Sequence, residues 1–229
     1  MRLVQIGFLL IAIGLFGAQA VAEELQPDAS DSFYFLDIPP VTGASKFKQE
    51  VADAPSSISI VTADEIKRFG YRTIADVLAG ARGFYATNDL NYQYAGARGF
   101  SIPGDYNTRL LVVIDGVPAQ DSLYQAAGIG YDFPVDLALI DHIELIRGPG
   151  SALYGSGAFF GVINVITRKG RHIRGLEVEA GGGSYQSYSG RITYGQRFDN
   201  SSELLLSADG LQSNGRENIY FPAFNLNNS

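Results

Sequence analysis

The chain has 229 residues, a formal net charge of −7, no cysteine and two histidines. The lack of cysteine excludes disulfides and thiol chemistry, and the two histidines lie far apart without acidic ligand spacing, which argues against a histidine-rich metal site. The acidic balance argues against a nucleic-acid partner, because nucleic acids are bound by basic surfaces. We therefore expect no resident metal, no cofactor and no nucleic acid.

Residues 1–22 have the pattern of a secretory signal peptide. Arg2 precedes the apolar run Leu3–Phe16, and the small residues Ala20–Ala22 follow it as a cleavage site. The alternative is a membrane anchor, but the run is shorter than the roughly 20 apolar residues that a span needs. We expect export and cleavage after Ala22, with an Ala-x-Ala site two residues earlier as the alternative.

Residues 23–50 form an acidic tail that contains three prolines and shows no helical period. This composition predicts disorder. The alternative is that part of the tail pairs, as an added strand, with a partner protein. The candidate strand consists of Leu36, Asp37, Ile38, Val41 and Thr42. Pro39 and Pro40 interrupt it, and they cannot donate hydrogen bonds to a strand ladder.

Short strands and short helices alternate between residues 51 and 170, a length that suits one domain. The predicted strands are Ser57–Val61, Leu110–Ile114, His142–Arg147 and Val162–Thr167. A capping box at Thr62–Glu65 predicts a helix over Ala63–Phe69, and Thr73–Leu78 begins a second helix that closes near Gly80. The pattern indicates a mixed α+β domain.

A glycine-rich stretch, Arg147–Gly161, joins the last two predicted strands. It does not fit a phosphate-binding loop, because no lysine follows any of its glycines. Its glycine spacing also fails the dinucleotide-binding pattern, and no Gly-x-Ser-x-Gly motif is present. We find no nucleophile, metal cluster or phosphate cradle, and we expect that the protein is not an enzyme.

The segment RGPGSALYGSGAFFGVINVIT resembles the signature that ends the plug domain of TonB-dependent outer-membrane receptors. Five blocks follow the order of that family: DAPSSISIVTADEI, TIADVLAGARGF, ARGF, LLVVIDGVP and IDHIELIRGPG. One departure is Phe160, where the family usually has a second glycine. The resemblance implies that residues 51–170 form the plug and that the candidate strand in residues 23–50 is the TonB box, with TonB as the energy-coupling partner.

The pattern changes in residues 171–229. Leu176 and Val178 alternate with Glu177 and Glu179, and similar alternation follows in two later runs. Strands of about ten residues with one apolar and one polar face are typical of transmembrane barrels, which need at least about eight strands, or about 22 when plugged. We therefore expect an α+β plug domain followed by the first antiparallel strands of a truncated transmembrane β-barrel that contacts outer-membrane lipid.

Two arginines, Arg98 and Arg147, belong to the matching blocks. The resemblance implies that both meet glutamates of the barrel wall, a contact for which the bidentate guanidinium is suited. We assign Glu144 to the same plug–barrel contact. The alternative is that each arginine pairs locally, for example with Glu144 or Asp115, as exposed ion pairs often do.

Tyrosines and acidic residues are concentrated in three segments predicted to be irregular, residues 88–94, 102–107 and 120–133. The resemblance implies that these loops face outward and touch the ligand. The predicted ligand contacts are Asn88, Asp89, Tyr92, Tyr94, Asp105, Tyr106 and Tyr124. The alternative is that these tyrosines are ordinary surface aromatics that pack against the barrel wall.

The resemblance implies a receptor in the Gram-negative outer membrane that binds and imports a scarce small molecule, such as an iron–siderophore or a similar metal chelate. The alternative is a soluble periplasmic module that binds a ligand or partner through a plug-like fold. The two hypotheses differ in residues 171–229, because a soluble module has no reason to present an apolar strand face.

Overall fold

The computed structural model describes residues 57–101 and 104–215. The predicted signal peptide, the acidic tail and the candidate TonB box at Leu36–Thr42 lie outside the described residues. Within the described ranges, no helix has both the length and the apolar character that a membrane-crossing helix requires.

The described strands fall into three sheets. In chain order they are β1 (Ser57–Thr62), β2 (Phe84–Asn88), β3 (Gln93–Ala97), β4 (Leu110–Ile114), β5 (Val117–Pro118), β6 (Ile140–Arg147), β7 (Gly161–Thr167), β8 (Gly175–Gly183), β9 (Ser187–Arg197) and β10 (Glu203–Gln212). The helices are α1 (Ala63–Phe69), α2 (Ile74–Gly80), α3 (Ser151–Tyr154) and α4 (Gly170–Ile173). The four longer strands and two longer helices predicted for residues 51–170 are all present.

A five-stranded sheet with the spatial order β1-β6-β7-β4-β5 forms the centre of the predicted plug domain. Strands β4 and β7 are parallel, and the other neighbouring pairs are antiparallel. Apolar side chains are buried on both faces of this sheet. Val112, Ile163 and Leu145 pack on one face with helix α2, while Leu111 and Val162 pack on the other.

Capping boxes start the two longer helices. The hydroxyl of Thr62 accepts a hydrogen bond from the backbone of Glu65, whose carboxylate accepts one from the backbone of Thr62. Thr73 and Asp76 form the same reciprocal pair at α2. Helix α1 ends at Gly70, which has a left-handed φ of 67°. Each cap satisfies backbone donors that the first helical turn leaves unpaired.

Strands β2 and β3 form a hairpin that the sequence pattern did not reveal. Residues 88–94 were predicted to be irregular, but in the structure they comprise the hairpin turn and both adjoining strand ends. The turn is made by side chains: Asn88 accepts from the backbone of Leu90, and Asp89 accepts from Asn91 and Tyr92. Asparagine and aspartate favour such turns because their side chains imitate a backbone turn.

A separate three-stranded antiparallel sheet, in the order β10-β9-β8, follows the plug. Its registers place Tyr194 opposite both Leu176 and Leu206, and Ile192 opposite Val178. These side chains are exposed, and Val178 is 70% exposed. The short helix α4 lies between the two sheets and packs against β9 and β10. The predicted alternating strands are therefore present, with a continuous apolar face.

Candidate functional site

The first candidate site is the position where Arg98 meets the end of β6. Arg98 and Gly99 occupy the centre of a tight turn with φ values of 54° and 80°, closed by hydrogen bonds between Ala97 and Phe100. The turn directs the Arg98 guanidinium toward the carbonyl of Arg147, to which its Nη2 donates at 3.0 Å. Arg98 and Arg147 are 49 positions apart in the sequence, and the fold thus brings them into contact.

Arg147 lies across the start of β2. Its Nη1 donates to the carbonyl of Arg82 at 2.8 Å. Glycines provide the room, since a Cβ on Gly83 would lie 2.9 Å from Cδ of Arg147, and one on Gly148 would lie 3.2 Å from Nη2 of Arg98. Both glycines also have a positive φ, which other residues adopt at a cost. The side chains of Arg98 and Arg147 therefore each lie close against the backbone of a glycine.

No carboxylate neutralises these two arginines among residues 57–101 and 104–215. The alternative of local pairing with Glu144 or Asp115 is not what the structure shows. Asp115 instead accepts hydrogen bonds from the backbone and hydroxyl of Thr167. Nε of Arg147 is buried, and within the described ranges no hydrogen-bond acceptor reaches it.

Glu144, which the sequence analysis assigned to the plug–barrel contact, lies inside the domain. Its side chain is 0% exposed in the middle of the five-stranded sheet. Asn164, its register partner on β7, donates to Oε2 at 2.9 Å, and Nε2 of His142 lies 3.8 Å from Oε1. Glu144 is thus part of a buried polar group with Asn164 and His142. Sequence reasoning missed Asn164 because it stands inside an apolar strand pattern.

Phe160, the departure from the family signature, packs on the turn that carries Arg98. Its ring stacks on Phe100 at 6.0 Å between centroids and meets Phe159 edge-on at 5.2 Å. The guanidinium of Arg109 lies 5.7 Å from the centre of the same ring. The backbone of Phe160 accepts a hydrogen bond from Gly148. The larger side chain thus fills a half-buried position next to the turn that carries Arg98.

The second candidate site is a cluster of tyrosines at the tip of the β2–β3 hairpin. Tyr92 and Tyr106 make an edge-to-face contact at 5.1 Å, and Tyr94 lies 6.2 Å from Tyr106. Such contacts stabilise the arrangement beyond the area they bury. Tyr92 and Tyr106 remain exposed, while Tyr94 is buried. The cluster thus offers two aromatic rings with polar tips to a ligand.

Asp89 and Tyr94 form a hydrogen-bonded pair beneath these rings. The Tyr94 hydroxyl donates to Oδ2 of Asp89 at 2.9 Å. Backbone hydrogen bonds from Tyr92 and Asn91 lower the pKa of Asp89 below its usual value. Desolvation, followed by the hydrogen bond to this carboxylate, raises the pKa of Tyr94 to about 12. Asp89 is therefore ionised and Tyr94 neutral at physiological pH.

Asn107 holds the predicted loops together, although sequence reasoning did not select it. The buried side chain accepts from the backbone of Ala95 at 2.8 Å and donates to the carbonyls of Gln93 and Ala127, each at 3.0 Å. Its φ of 62° is one that asparagine tolerates better than most residues. A sequence signal existed, because Asn107 follows a tyrosine and an aspartate in a loop.

The remaining predicted contacts lie around this cluster. Asn88 caps the hairpin turn, and Asp105 accepts from the backbone of Asn107 while lying 3.9 Å from Nε of Arg109. Tyr124 is on the neighbouring loop, exposed at a turn that Asp121 organises by accepting three backbone hydrogen bonds. In the part of the chain described, no group of three or more His, Cys, Asp or Glu side chains is arranged to hold a metal.

Comparison with known proteins connects this arrangement to one family. Residues 50–162 match the family model described as the TonB-dependent receptor plug domain. The chain is 31% identical over 191 residues to the vitamin B12 transporter BtuB of Vibrio vulnificus (strain CMCP6). The match covers 82% of this chain and 30% of the transporter, so the chain spans about three tenths of the length of that curated relative.

Solved structures share the fold. The pyoverdine outer membrane receptor FpvA from Pseudomonas aeruginosa, bound to pyoverdine, is similar with a TM-score of 0.62 at 24% identity, over 76% of this chain and 25% of the receptor. The ferric-catecholate import receptor Fiu from E. coli is similar with a TM-score of 0.59 at 23% identity, over 76% of this chain and 24% of the receptor.

Proposed function

Because the chain belongs to the family of TonB-dependent receptors, we propose that it is the N-terminal part of an outer-membrane receptor that binds and imports a scarce nutrient. The nutrient is an iron–siderophore or a similar chelate. The names of its relatives support this class, since they include a vitamin B12 transporter, a pyoverdine receptor and a ferric-catecholate import receptor. The protein reaches the outer membrane of a Gram-negative cell by means of the cleaved signal peptide.

The observation that carries this proposal is the continuous apolar face of the β8–β10 sheet. Leu176, Val178, Ile192 and Leu206 are each at least half exposed and lie in register across the three strands. Burying apolar area is worth roughly 25 cal/mol per Å², so a soluble protein rarely leaves such a face uncovered. Lipid contact explains it, and the soluble periplasmic alternative does not.

The arginine pair supports the proposed position of the plug. The Arg98 guanidinium donates to the backbone carbonyl of Arg147, and the described residues supply no carboxylate to either arginine. Adjacent cations are best stabilised by bidentate carboxylates. We assign these carboxylates to glutamates of the barrel wall, which would hold the plug inside the lumen.

The two ends of the plug then have separate roles. The tyrosine cluster around Asp89 and Tyr106 contacts the ligand from outside, together with Asn88, Tyr92, Tyr94, Asp105 and Tyr124. The tail at residues 23–50 carries the TonB box at Leu36–Thr42, through which TonB supplies the energy for import.

The test is uptake by cells that express the receptor containing this chain. Under iron limitation, growth on a panel of ferric siderophores should depend on both the receptor and TonB, and the receptor should fractionate with the outer membrane. A protein recovered instead as a soluble periplasmic species would overturn the proposal in favour of the binding module. If the receptor supports growth only on vitamin B12, under cobalamin limitation, the assignment as a receptor stands and the proposed ligand changes from an iron chelate to cobalamin.

A further inference from the structure

A second charged contact joins the plug to the strands that follow it, at a distance from the arginine pair. Arg168 is the first residue after β7, and its guanidinium makes a bidentate contact with Glu177 of β8. Nη1 lies 3.1 Å from Oε2, and Nη2 lies 3.0 Å from Oε1. The backbone of Arg168 also donates to the carbonyl of Leu139 at 2.7 Å, on the plug side.

The contact extends across the three-stranded sheet. Nη1 of Arg191, on β9, lies 3.7 Å from Oε2 of Glu177, and its Nη2 lies 2.6 Å from Oε2 of Glu179. Arg191 also donates to the hydroxyl of the fully buried Thr193, which in turn pairs with Ser207 on β10. A chain of polar contacts therefore runs from the end of the plug through all three strands, on the face opposite the apolar one.

The backbone reinforces this contact. Helix α4 approaches β9 and β10 so closely that a Cβ on Gly170 would meet the carbonyl of Leu204 and lie 2.7 Å from that of Gln196. On the facing strand, a Cβ on Gly195 would lie 2.6 Å from Cβ of Ile173. Both glycines are needed for the short helix to lie flat on the sheet, so the connection between plug and strands is packed rather than loose.

The environment makes this network stronger than an ordinary surface pair. Exposed ion pairs contribute little, because water screens them and two long side chains must be ordered. Here the side chains of Arg168 and Arg191 are only 22% and 9% exposed, and the Arg168 contact is bidentate. Removal of Glu177, itself 36% exposed, would leave the better buried arginines without this counter-charge, which is costly.

We propose that Arg168, Glu177 and Arg191 attach the C-terminal end of the plug to the barrel wall and set the orientation of the plug in the lumen. This inference rests on the proposed function. The three residues touch no ligand; they are positioning residues that act through β7 and α4. The attachment is distinct from the contact of Arg98 and Arg147, which lies at the other end of the long sheet strands.

The experiment uses charge reversal in the receptor that contains this chain, expressed in the outer membrane. R168E and E177R should each raise sensitivity to vancomycin, a large hydrophilic antibiotic, by ~10-fold, because the reversed charge faces a like charge at close range. The double variant R168E/E177R should restore exclusion in part, because it reforms the pair with opposite polarity but leaves the new arginine facing Arg191. Heat-modifiable migration in gels reports barrel assembly in the same samples.

The matched control is the neighbouring pair of Arg171 and Glu203. Nε of Arg171 lies 3.3 Å from Oε1 of Glu203. Arg171 is 43% exposed, more than Arg168 or Arg191, and its contact lies outside the network. R171E should change vancomycin sensitivity by less than ~2-fold. R168K, which keeps the charge and loses the bidentate fork, should give an intermediate increase.

The outcomes separate the two proposals. Assembled R168E and E177R barrels with unchanged vancomycin exclusion overturn the attachment while leaving the receptor assignment intact. A double variant at least as sensitive as both single variants does the same. If the charge-reversed variants do not assemble, R168K and E177Q provide the test instead. Vancomycin exclusion equal to that of the unmodified receptor in both of these variants overturns the attachment. Failure of the unmodified receptor to reach the outer membrane overturns the proposed function, and the attachment with it.

Discussion

The five-stranded plug sheet and the three-stranded β8–β10 sheet are built from the same kinds of residue but treat their apolar side chains differently. In the plug sheet, Val162 and Ile163 point to opposite faces and both are fully buried. In the second sheet, Val178 is exposed while Thr193 is buried. The first arrangement closes a core within the domain, whereas the second leaves its apolar face for an external partner. This difference in the burial of apolar side chains distinguishes the plug domain from the strands of the barrel wall.

The largest expected loss of stability comes from creating a cavity in the buried core of the plug sheet. Ile163→Ala should destabilise the chain by about 2–5 kcal/mol, because it removes buried methyl groups and leaves a cavity. The matched change Val178→Ala, on the exposed face of β8, should cost less than about 0.5 kcal/mol. Chemical denaturation of the purified chain in detergent measures both. Equal costs for the two variants would remove the distinction between the sheets.

The next effect concerns the proposed contact of Arg98 and Arg147 with the barrel wall. Arg98→Ala together with Arg147→Ala should loosen the plug, giving faster proteolysis of residues 51–170 and greater antibiotic entry in the full receptor. Arg82→Ala is the control, because only the carbonyl of Arg82 takes part, accepting from Arg147. Unchanged protease resistance and antibiotic exclusion in the double variant would count against the wall contact.

A smaller effect is expected within the loops that we propose contact the ligand. Asn107→Ala removes the side chain that joins Ala95, Gln93 and Ala127. Each buried backbone group left without a partner costs about 1–3 kcal/mol, and part of this loss should appear as weaker ligand binding. Asn91→Ala, at the exposed hairpin turn, serves as the control. Ligand affinity that falls equally in both variants would contradict the role of Asn107.

The smallest effect is a pH dependence located in the plug sheet. Burial of His142 lowers its pKa, but the carboxylates of Glu144 and Asp141 raise it more, so the net shift is upward. Asp141 also faces His172 of α4, at 3.6 Å. Because the folded-state pKa of His142 is raised, its contribution to stability is complete below about 6.5, the unfolded value, and is lost as pH rises through the folded pKa.

The measurement is the difference in unfolding free energy between the unmodified chain and His142→Gln across this pH window. The stability advantage of the unmodified chain should be greatest at acidic pH and shrink toward alkaline pH. His172→Gln serves as the control, because His172 is more exposed and its contact with Asp141 is longer. An advantage that grows with pH would contradict the upward shift.

Local sequence rules predicted much of this fold. The capping boxes at Thr62 and Thr73, the apolar strands of the plug and the alternation after residue 175 each follow from short-range physics. The β2–β3 hairpin was missed because its strands contain alanine, glycine, asparagine and glutamine, which weaken a strand pattern. The helix α4 was also missed, because four residues are too few to show the hydrophobic period of a helix.

The candidate site was less predictable, because its side chains meet over long separations. Arg98 and Arg147 could be selected individually, but their adjacency depends on the tight turn at Gly99 and the room at Gly83. The burial of Glu144 could not be predicted, because a carboxylate in an apolar strand gives no indication of its depth. Its burial depends on Asn164, which the sequence separates from it by 20 positions.

The ring of Phe160 has a consequence for the unfolded chain as well as for the folded one. A glycine at this position would sample many more backbone conformations before folding, and all of that freedom would be lost in the native state. Phe160 does not have a left-handed φ, so the bulky side chain is accommodated without strain. Replacement of a glycine under these conditions stabilises a protein by about 0.4–1 kcal/mol. The departure therefore stiffens the glycine-rich segment entropically, while its stacking on Phe100 braces the turn next to it.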